Sequence, residues 1–449
     1  TKYQRNCTPI KNNSLRNKFV HIIQICLLDK LFELLLTAHA TAVNEFADLK
    51  YLFQCNKSIN KSLVNKFISV VEFPLSNIQH WQRTRINKVH MVSITSHNYL
   101  HLRHGFLIMP LYLRELKFSD EFNSLLVKNI FPKSLTKITF GNMFDQLLEK
   151  DVFPEQLTEI IFGYYFNQII KCNVLPENLS RLTFGNCYNR SLIKNSLPKS
   201  LTILKFGFGF NQLLEKDQLP ENLLVIIFGH EFNQLIYPNV LPKNVASISF
   251  GHMFNQILIK NMFPEKLKTL FFGTRFNKPL KGVLPNMLEC LTFSRSSVFN
   301  MPIEENVLPT NLTSLRFGVA FNQLLNKGVL PQNLTSLIFG HFYNQKINNG
   351  VLPENLTHLI FGTNFNQNIF ENMLPQNLKV LKLGYNYNRE IIADTLPESL
   401  TQLDIIGNFK HVIDKAVLPK NLLILNINRE YENLLDKKKL PKKVKVILN

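Results

Sequence analysis

Sixteen prolines, at 110, 132, 154, 176, 198, 220, 242, 264, 285, 309, 331, 353, 375, 397, 419 and 441, mark a repeat along most of this 449-residue chain. Nearly every interval is 22 residues; the two exceptions are adjacent, 264 to 285 being one residue short and 285 to 309 two residues long. A repeat this regular overrides the two or three domains that length alone suggests. One unit of this size cannot bury its apolar face by itself, so the units must stack and stabilise one another.

Counting from each proline as zero defines a template. Leu recurs at plus three, an aliphatic residue at plus six, and usually Phe at plus eight with Gly at plus nine. Phe or Tyr follows at plus twelve and Asn at plus thirteen, often with Gln behind it. In the unit that opens at Pro331, Thr335-Ser336-Leu337-Ile338-Phe339 alternates, with Leu337 and Phe339 inward and Ser336 and Ile338 outward, which predicts a short strand. The Leu-Pro before it suits a tight corner, because Pro presets φ there. The Gly after it suits a bend where a side chain would clash or a positive φ is needed.

The Asn at plus thirteen has a structural use. A buried carboxamide offers donors and an acceptor to backbone groups left unpaired where the coil turns, and stacked copies can bond to each other. The column predicted to do this is Asn167, Asn189, Asn211, Asn233, Asn255, Asn277, Asn322, Asn344, Asn366 and Asn388. Beside it the plus-twelve rings should form an aromatic stack.

The motif Leu-Pro-x-x-Leu-x-x-Leu-x-Phe-Gly followed by Phe-Asn-Gln resembles the FNIP repeat, a relative of the leucine-rich repeat, over about residues 110–400. The resemblance implies a solenoid of the leucine-rich-repeat type with one parallel β-sheet, one short strand per 22-residue coil. Arrays of this kind occur in slime moulds and giant DNA viruses, where they often follow an amino-terminal F-box.

Residues 1–75 read as a small α-helical module. Three segments, about 15–37, 42–54 and 58–70, carry apolar residues at spacings of three and four, each a stripe that must be buried. Leu27-Leu28-Asp29-Lys30-Leu31-Phe32-Glu33-Leu34-Leu35 resembles the opening helix of an F-box, and the stretch from Ala47 to Ser58 resembles its apolar-Cys-basic end. The usual opening Leu-Pro is missing and the spacer is long, so the residues alone fit a plain helical cap better. The association of FNIP arrays with F-boxes points the other way. It implies docking of Leu28, Leu31, Leu34, Leu35, Leu49 and Leu52 on a Skp1-like subunit of a cullin ubiquitin ligase. Residues 76–109 read as a linker and a degenerate first coil, with Met91 and Ile94 at core positions of a strand. The solenoid then occupies 110–449, with a carboxy-terminal cap from about 400, where Lys410 takes the Asn position and Tyr431-Glu432 replaces Phe-Asn.

Departures from the template mark special places. Asp145 replaces Asn, and Phe293-Ser-Arg-Ser-Ser-Val-Phe299 loses Gly and gains two residues, which predicts a bulge at that turn.

Composition narrows the function classes. The formal charge of +19 sits at the ends: residues 1–100 hold 13 Lys/Arg against 5 Asp/Glu, and 410–449 hold 10 against 4. The long middle is nearly balanced, at 28 against 23, which argues against nucleic-acid binding. Six scattered Cys without CxxC spacing fit a reducing compartment rather than a disulfide or zinc framework. The apolar run 19–36 is broken by charged and polar residues, so no membrane span is expected. These features together read as an intracellular, cytoplasmic protein, in the host's cytoplasm if the chain is viral. Asn-Leu-Thr at 311, 333 and 355 has the form of a glycosylation signal but straddles a core Leu.

No phosphate-cradling loop or nucleophile set stands out, so no catalytic residue, metal or cofactor is expected. His230 and His252 share the plus-ten position in consecutive units, which allows them to stack at a turn. The residues expected to meet a target protein are the outward plus-seven positions Ile161, Lys205, Ile227, Phe271, Arg316, Ile338 and Ile360. Apolar groups on a wet face can mark a partner site, although β-branched residues also suit strands anywhere. The sequence thus reads as a non-enzymatic protein-binding repeat protein, either a substrate-recruiting adaptor of an SCF-type ligase or a stand-alone scaffold.

Overall fold

In the computed structural model the described residues are 73–74, 91–94, 109, 113–413, 417–435, 440 and 443–448. Two compact units divide the chain, Thr1–Ile68 and Ser69–Asn449. The first unit lies wholly outside the described residues, and with it the predicted helices and the six leucines of the F-box resemblance.

The second unit is a parallel β-solenoid. From Glu115–Phe118 onward each coil adds one strand of three or four residues, and each strand pairs parallel with the next. Leu315, Leu337, Leu359 and Leu381 lie directly opposite one another, one coil apart. The register survives the irregular units: Leu270 pairs with Leu291 and Leu291 with Leu315. The missing and extra residues are therefore absorbed outside the strands. The two extra residues sit between Phe293 and Phe299, at the predicted bulge, where Ser297 is buried and Val298 N–H donates to the Thr274 carbonyl.

The strand Met91–Ile94 stands where the degenerate first coil is expected, paired with Glu115–Phe118. A two-residue strand, Phe73–Pro74, pairs with it in turn. Past residue 400 the ladder continues through Gln402–Ile405, Ile424–Ile427 and Lys445–Leu448. The 3-10 helix Arg429–Leu434 takes the place of the Phe-Asn turn there.

The core is a set of columns. The plus-three and plus-six aliphatics, such as Leu334 and Leu337, are fully buried, as are the plus-twelve rings. The rings form a double stack. Phe339 lies 3.8 Å from Tyr343 of its own coil and 5.5 Å from Phe361 of the next, and Tyr343 lies 6.3 Å from Phe365. Near-parallel, offset rings at these separations add to the burial term.

Close backbone approach explains the plus-nine glycines. A Cβ on Gly163 would fall 1.8 Å from the Gly141 carbonyl oxygen, and one on Gly251 1.8 Å from that of Gly229. Steric clash is the reason for Gly here, since the positive-φ residues lie ten positions further on. Asn195 (φ 60), Asp217 (φ 67), Gly328 (φ 87) and Gly350 (φ 74) all occupy plus nineteen. That residue closes a tight turn, as in Ser196 N–H to Ile193 O at 3.0 Å. Asn, Asp and Gly are the residues that tolerate the left-handed region.

Candidate protein-binding surface

Three polar ladders bond neighbouring coils to one another. In the plus-thirteen ladder each side-chain Oδ1 accepts the main-chain N–H of the same position one coil on. Asn255 N–H donates to Asn233 Oδ1 at 2.9 Å, and Asn344 N–H to Asn322 Oδ1 at 2.9 Å. The following Gln adds a second donor, Gln256 Nε2 to Asn233 Oδ1 at 3.2 Å. All ten predicted members take part, from Asn167 through Asn189, Asn211, Asn277 and Asn366 to Asn388. They are half-buried or exposed rather than buried. Asn123, Asp145 and Asn300 belong to the ladder as well. Lys410 ends it, donating its main-chain N–H to Asn388 without offering an acceptor of its own.

The second and third ladders lie at plus two and plus four. Asn333 Nδ2 donates to the Thr310 carbonyl at 2.9 Å, and Thr335 Oγ1 to the Thr313 carbonyl at 3.1 Å. Both columns follow from residue types repeated at fixed positions. In Asn311, Asn333 and Asn355, the nitrogen that glycosylation would modify is already bonded to the preceding coil. A shallow groove of about 580 Å³ runs past these three asparagines, bounded by Met287 and Glu289 at one end.

The outward face of the sheet carries the plus-five and plus-seven side chains. One end is charged: Glu115, Lys137, Glu159 and Arg181 lie in line, with Lys137 Nζ 3.5 Å from Glu159 Oε2. At the other end Asp404 is buried, 2.7 Å from Lys382 Nζ, accepting from Gln402 Nε2 at 2.9 Å and from Asn426 Nδ2.

Six of the seven predicted contact residues lie between these ends; Ile161 shares a strand with Glu159 in the charged end. Ile161 is followed by Thr183 and then Lys205. Lys205, Ile227, Ser249, Phe271, Thr292 and Arg316 make one unbroken row, so Ser249 separates the two apolar groups. Ile338 and Ile360 are direct neighbours, followed by Lys382. Lys205 is exposed; the other six are half-buried, because side chains one coil apart cover each other.

Large exposed apolar groups occur elsewhere. Tyr164, Tyr165 and Phe208 occupy the rim just after the strands. The Phe208, His230 and His252 rings stack there at 4.1 and 4.4 Å, so the histidine pair that the shared position allows does form. His230 Nδ1 lies 3.1 Å from Glu231 Oε1. Burial, with His230 and Arg275 nearby, holds the His252 imidazole below its ordinary pKa, against the opposing pull of Glu231. Among the described residues no three His, Cys, Asp or Glu side chains converge as a metal would need, and no helix is long and apolar enough to cross a membrane.

The FNIP Repeat family model matches residues 107–143, 122–165, 144–187, 166–209, 210–252, 254–296, 299–342, 343–386 and 365–408, most of the array. None of the curated proteins compared with the chain matches it. Among solved structures, the circular leucine-rich-repeat protein CroV588 is 38% identical with a TM-score of 0.69, over 81% of this chain and 57% of that one. The chain thus spans little more than half the length of that protein. The Toll–Spatzle complex of Drosophila is 14% identical, with a TM-score of 0.47, over 79% of this chain and 60% of that one. A leucine-rich repeat protein from Bacteroides ovatus is 15% identical, with a TM-score of 0.21, over 81% and 84%.

Proposed function

The chain belongs to the FNIP repeat family, and from that premise we propose that it is a non-enzymatic repeat protein whose outward sheet face holds a target protein. One observation carries this reading. The residues that build each coil repeat almost unchanged, whereas the outward plus-five and plus-seven residues differ from coil to coil on a register-locked sheet. Four strands, from Val225–Ile227 to Cys290–Phe293, carry no charge on their outward positions, and Lys205 and Arg316 border them. A target with an apolar ridge between two carboxylates fits this face. Ile161, Ile338 and Ile360 extend the contact on either side.

Affinity capture from the source cells tests the assignment, comparing the wild-type chain with Ile227→Glu/Phe271→Glu. The expected result is loss of the captured target by the variant at unchanged thermal stability. Equal capture by both proteins would overturn the sheet face as the binding surface.

The finer reading is a substrate-recruiting adaptor of an SCF-type ligase. It rests on the F-box-like stretches Leu27–Leu35 and Ala47–Ser58. A purified Skp1-like subunit should bind the full chain and lose binding when residues 1–75 are removed. No binding at micromolar concentration excludes this role. Aggregation of the shortened chain without loss of a ligase partner would favour the alternative, a stand-alone scaffold whose amino-terminal segment only caps the solenoid.

A further inference from the structure

The longest exposed apolar feature of the described residues lies at plus fifteen, away from the sheet. Leu126, Leu148, Ile170 and their successors at plus sixteen point into the core, so the preceding residue points out. That residue is Leu125, Leu147, Ile169, Ser191, Leu213, Leu235 and Ile257 in successive coils. Pro279, Pro302 and Leu324 continue the column to ten coils, of which Ser191 is the single polar member. Leu125, Ile169, Leu213, Ile257 and Leu324 are about half exposed, Ile257 as much as 66%. The column then turns polar with Lys346, Asn368 and Glu390.

We propose that this stripe is the self-association surface of the protein, pairing two copies side by side and antiparallel about a two-fold axis near Leu213 and Leu235. Three observations favour a second copy as occupant. The first is area. A half-exposed Leu or Ile presents on the order of 80 Å² of apolar surface. The column, with exposed Ile193 and Tyr237 beside it, therefore offers on the order of 800 Å² per copy, one side of a standard stable interface. The second is neutrality. The ten column residues carry no charge, so the ridge itself can meet its own image without like-charge repulsion, the charges Glu149, Lys171, Glu215, Lys281 and Glu304 lying beside it at its margin. The third is symmetry. The asparagine ladder beside the column keeps its coils in step, so a ridge of evenly spaced side chains can interdigitate with a reversed copy. The polar residues from Lys346 onward end the contact, which makes a closed pair rather than an open filament.

Sedimentation velocity of the full chain across the micromolar range tests this. The wild-type chain should pass from monomer to dimer with rising concentration. Leu213→Lys/Ile257→Lys should remain monomeric throughout, with an unchanged circular dichroism spectrum and unfolding midpoint, since both residues are exposed. Ile338→Lys, on the sheet face, should dimerise as the wild type does. A wild-type chain that stays monomeric, a double variant that dimerises equally well, or assembly that grows past the dimer would each overturn the proposal. The sheet face is not used in this pairing, so loss of dimer and loss of target capture are separable outcomes.

Discussion

Tyr343 shows how one atom can be at odds with its surroundings. Its ring fills the plus-twelve column as Phe does in most coils, but its hydroxyl is buried without a hydrogen-bond partner, as are those of Tyr188 and Tyr387. Burial pushes that hydroxyl well above the usual phenol range, so it stays neutral. An unpaired buried hydroxyl costs about 1–3 kcal/mol. Tyr343→Phe should therefore raise the unfolding midpoint or leave it unchanged; a clear fall in a thermal melt would mean the hydroxyl has a partner, such as an internal water. His252 makes the opposite kind of case, on the surface. Its folded pKa lies below the ordinary value of 6.5, so the unfolded chain takes up its proton first as pH falls. Its contribution to stability is complete above that value and is lost as pH drops through the window down to the folded pKa. Proton NMR should place the His252 midpoint below that of a free histidine. His230→Gln should move it upward, because a neighbouring imidazole and part of the stack are removed; an unmoved midpoint would discount that neighbour.

At the scale of the coil, the asparagine ladder shows what a repeated residue does and what can replace it. Asp145 already stands in the ladder, and its carboxylate accepts Asn167 N–H at 2.8 Å and Gln168 Nε2 at 3.0 Å. The requirement is an acceptor, not an amide. Asn233→Asp should thus keep most of the stability, whereas Asn233→Leu strands the N–H of Asn255, while Gln256 keeps its bond to the Asn233 carbonyl, and should cost about 1–3 kcal/mol in denaturant unfolding. Equal losses in the two variants would remove the ladder from the account. The same element marks what the sequence makes legible. Core positions such as Leu334, Leu337 and Phe339 stand out because alternation and a fixed period leave no other buried choice. Asn300 escapes the register because two extra residues push it away from plus thirteen, although Phe299 before it preserves the Phe-Asn pair. The plus-nineteen column is hidden because Asn, Asp and Gly look like three residue types while answering one backbone need, a positive φ. The outward sheet positions can be read from the strand, but their half-burial cannot. It arises between coils, where Ile338 and Ile360 shield each other. The plus-fifteen stripe is written as plainly as the strand, beside a buried column, but on a segment that forms no strand.

In the described array, strand pairing and the polar ladders join each coil to its neighbours, so stability should behave as a sum of like terms and not as one indivisible core. That makes the period itself testable. Removing residues 243–264 deletes one full repeat and joins Pro242 to Glu265 in the template register. Ile226 would then pair with Leu270 where it now pairs with Ile248, Phe228 would meet Phe272 in place of Phe250, and Asn233 Oδ1 would receive Asn277 N–H. Gly229 would lie under Gly273 as it now lies under Gly251, so the close backbone approach is kept. Removing only residues 243–253, half a repeat, sets every one of these columns against the wrong partner and brings side chains onto glycine carbonyls. The full-repeat deletion should remain folded, with the wild-type circular dichroism per residue and a modestly lower unfolding midpoint. The half-repeat deletion should aggregate or unfold. Comparable melts for the two proteins would show that the register of the columns is not what holds the solenoid together. A full-repeat deletion that fails to fold would instead give this coil a role that its neighbours cannot supply.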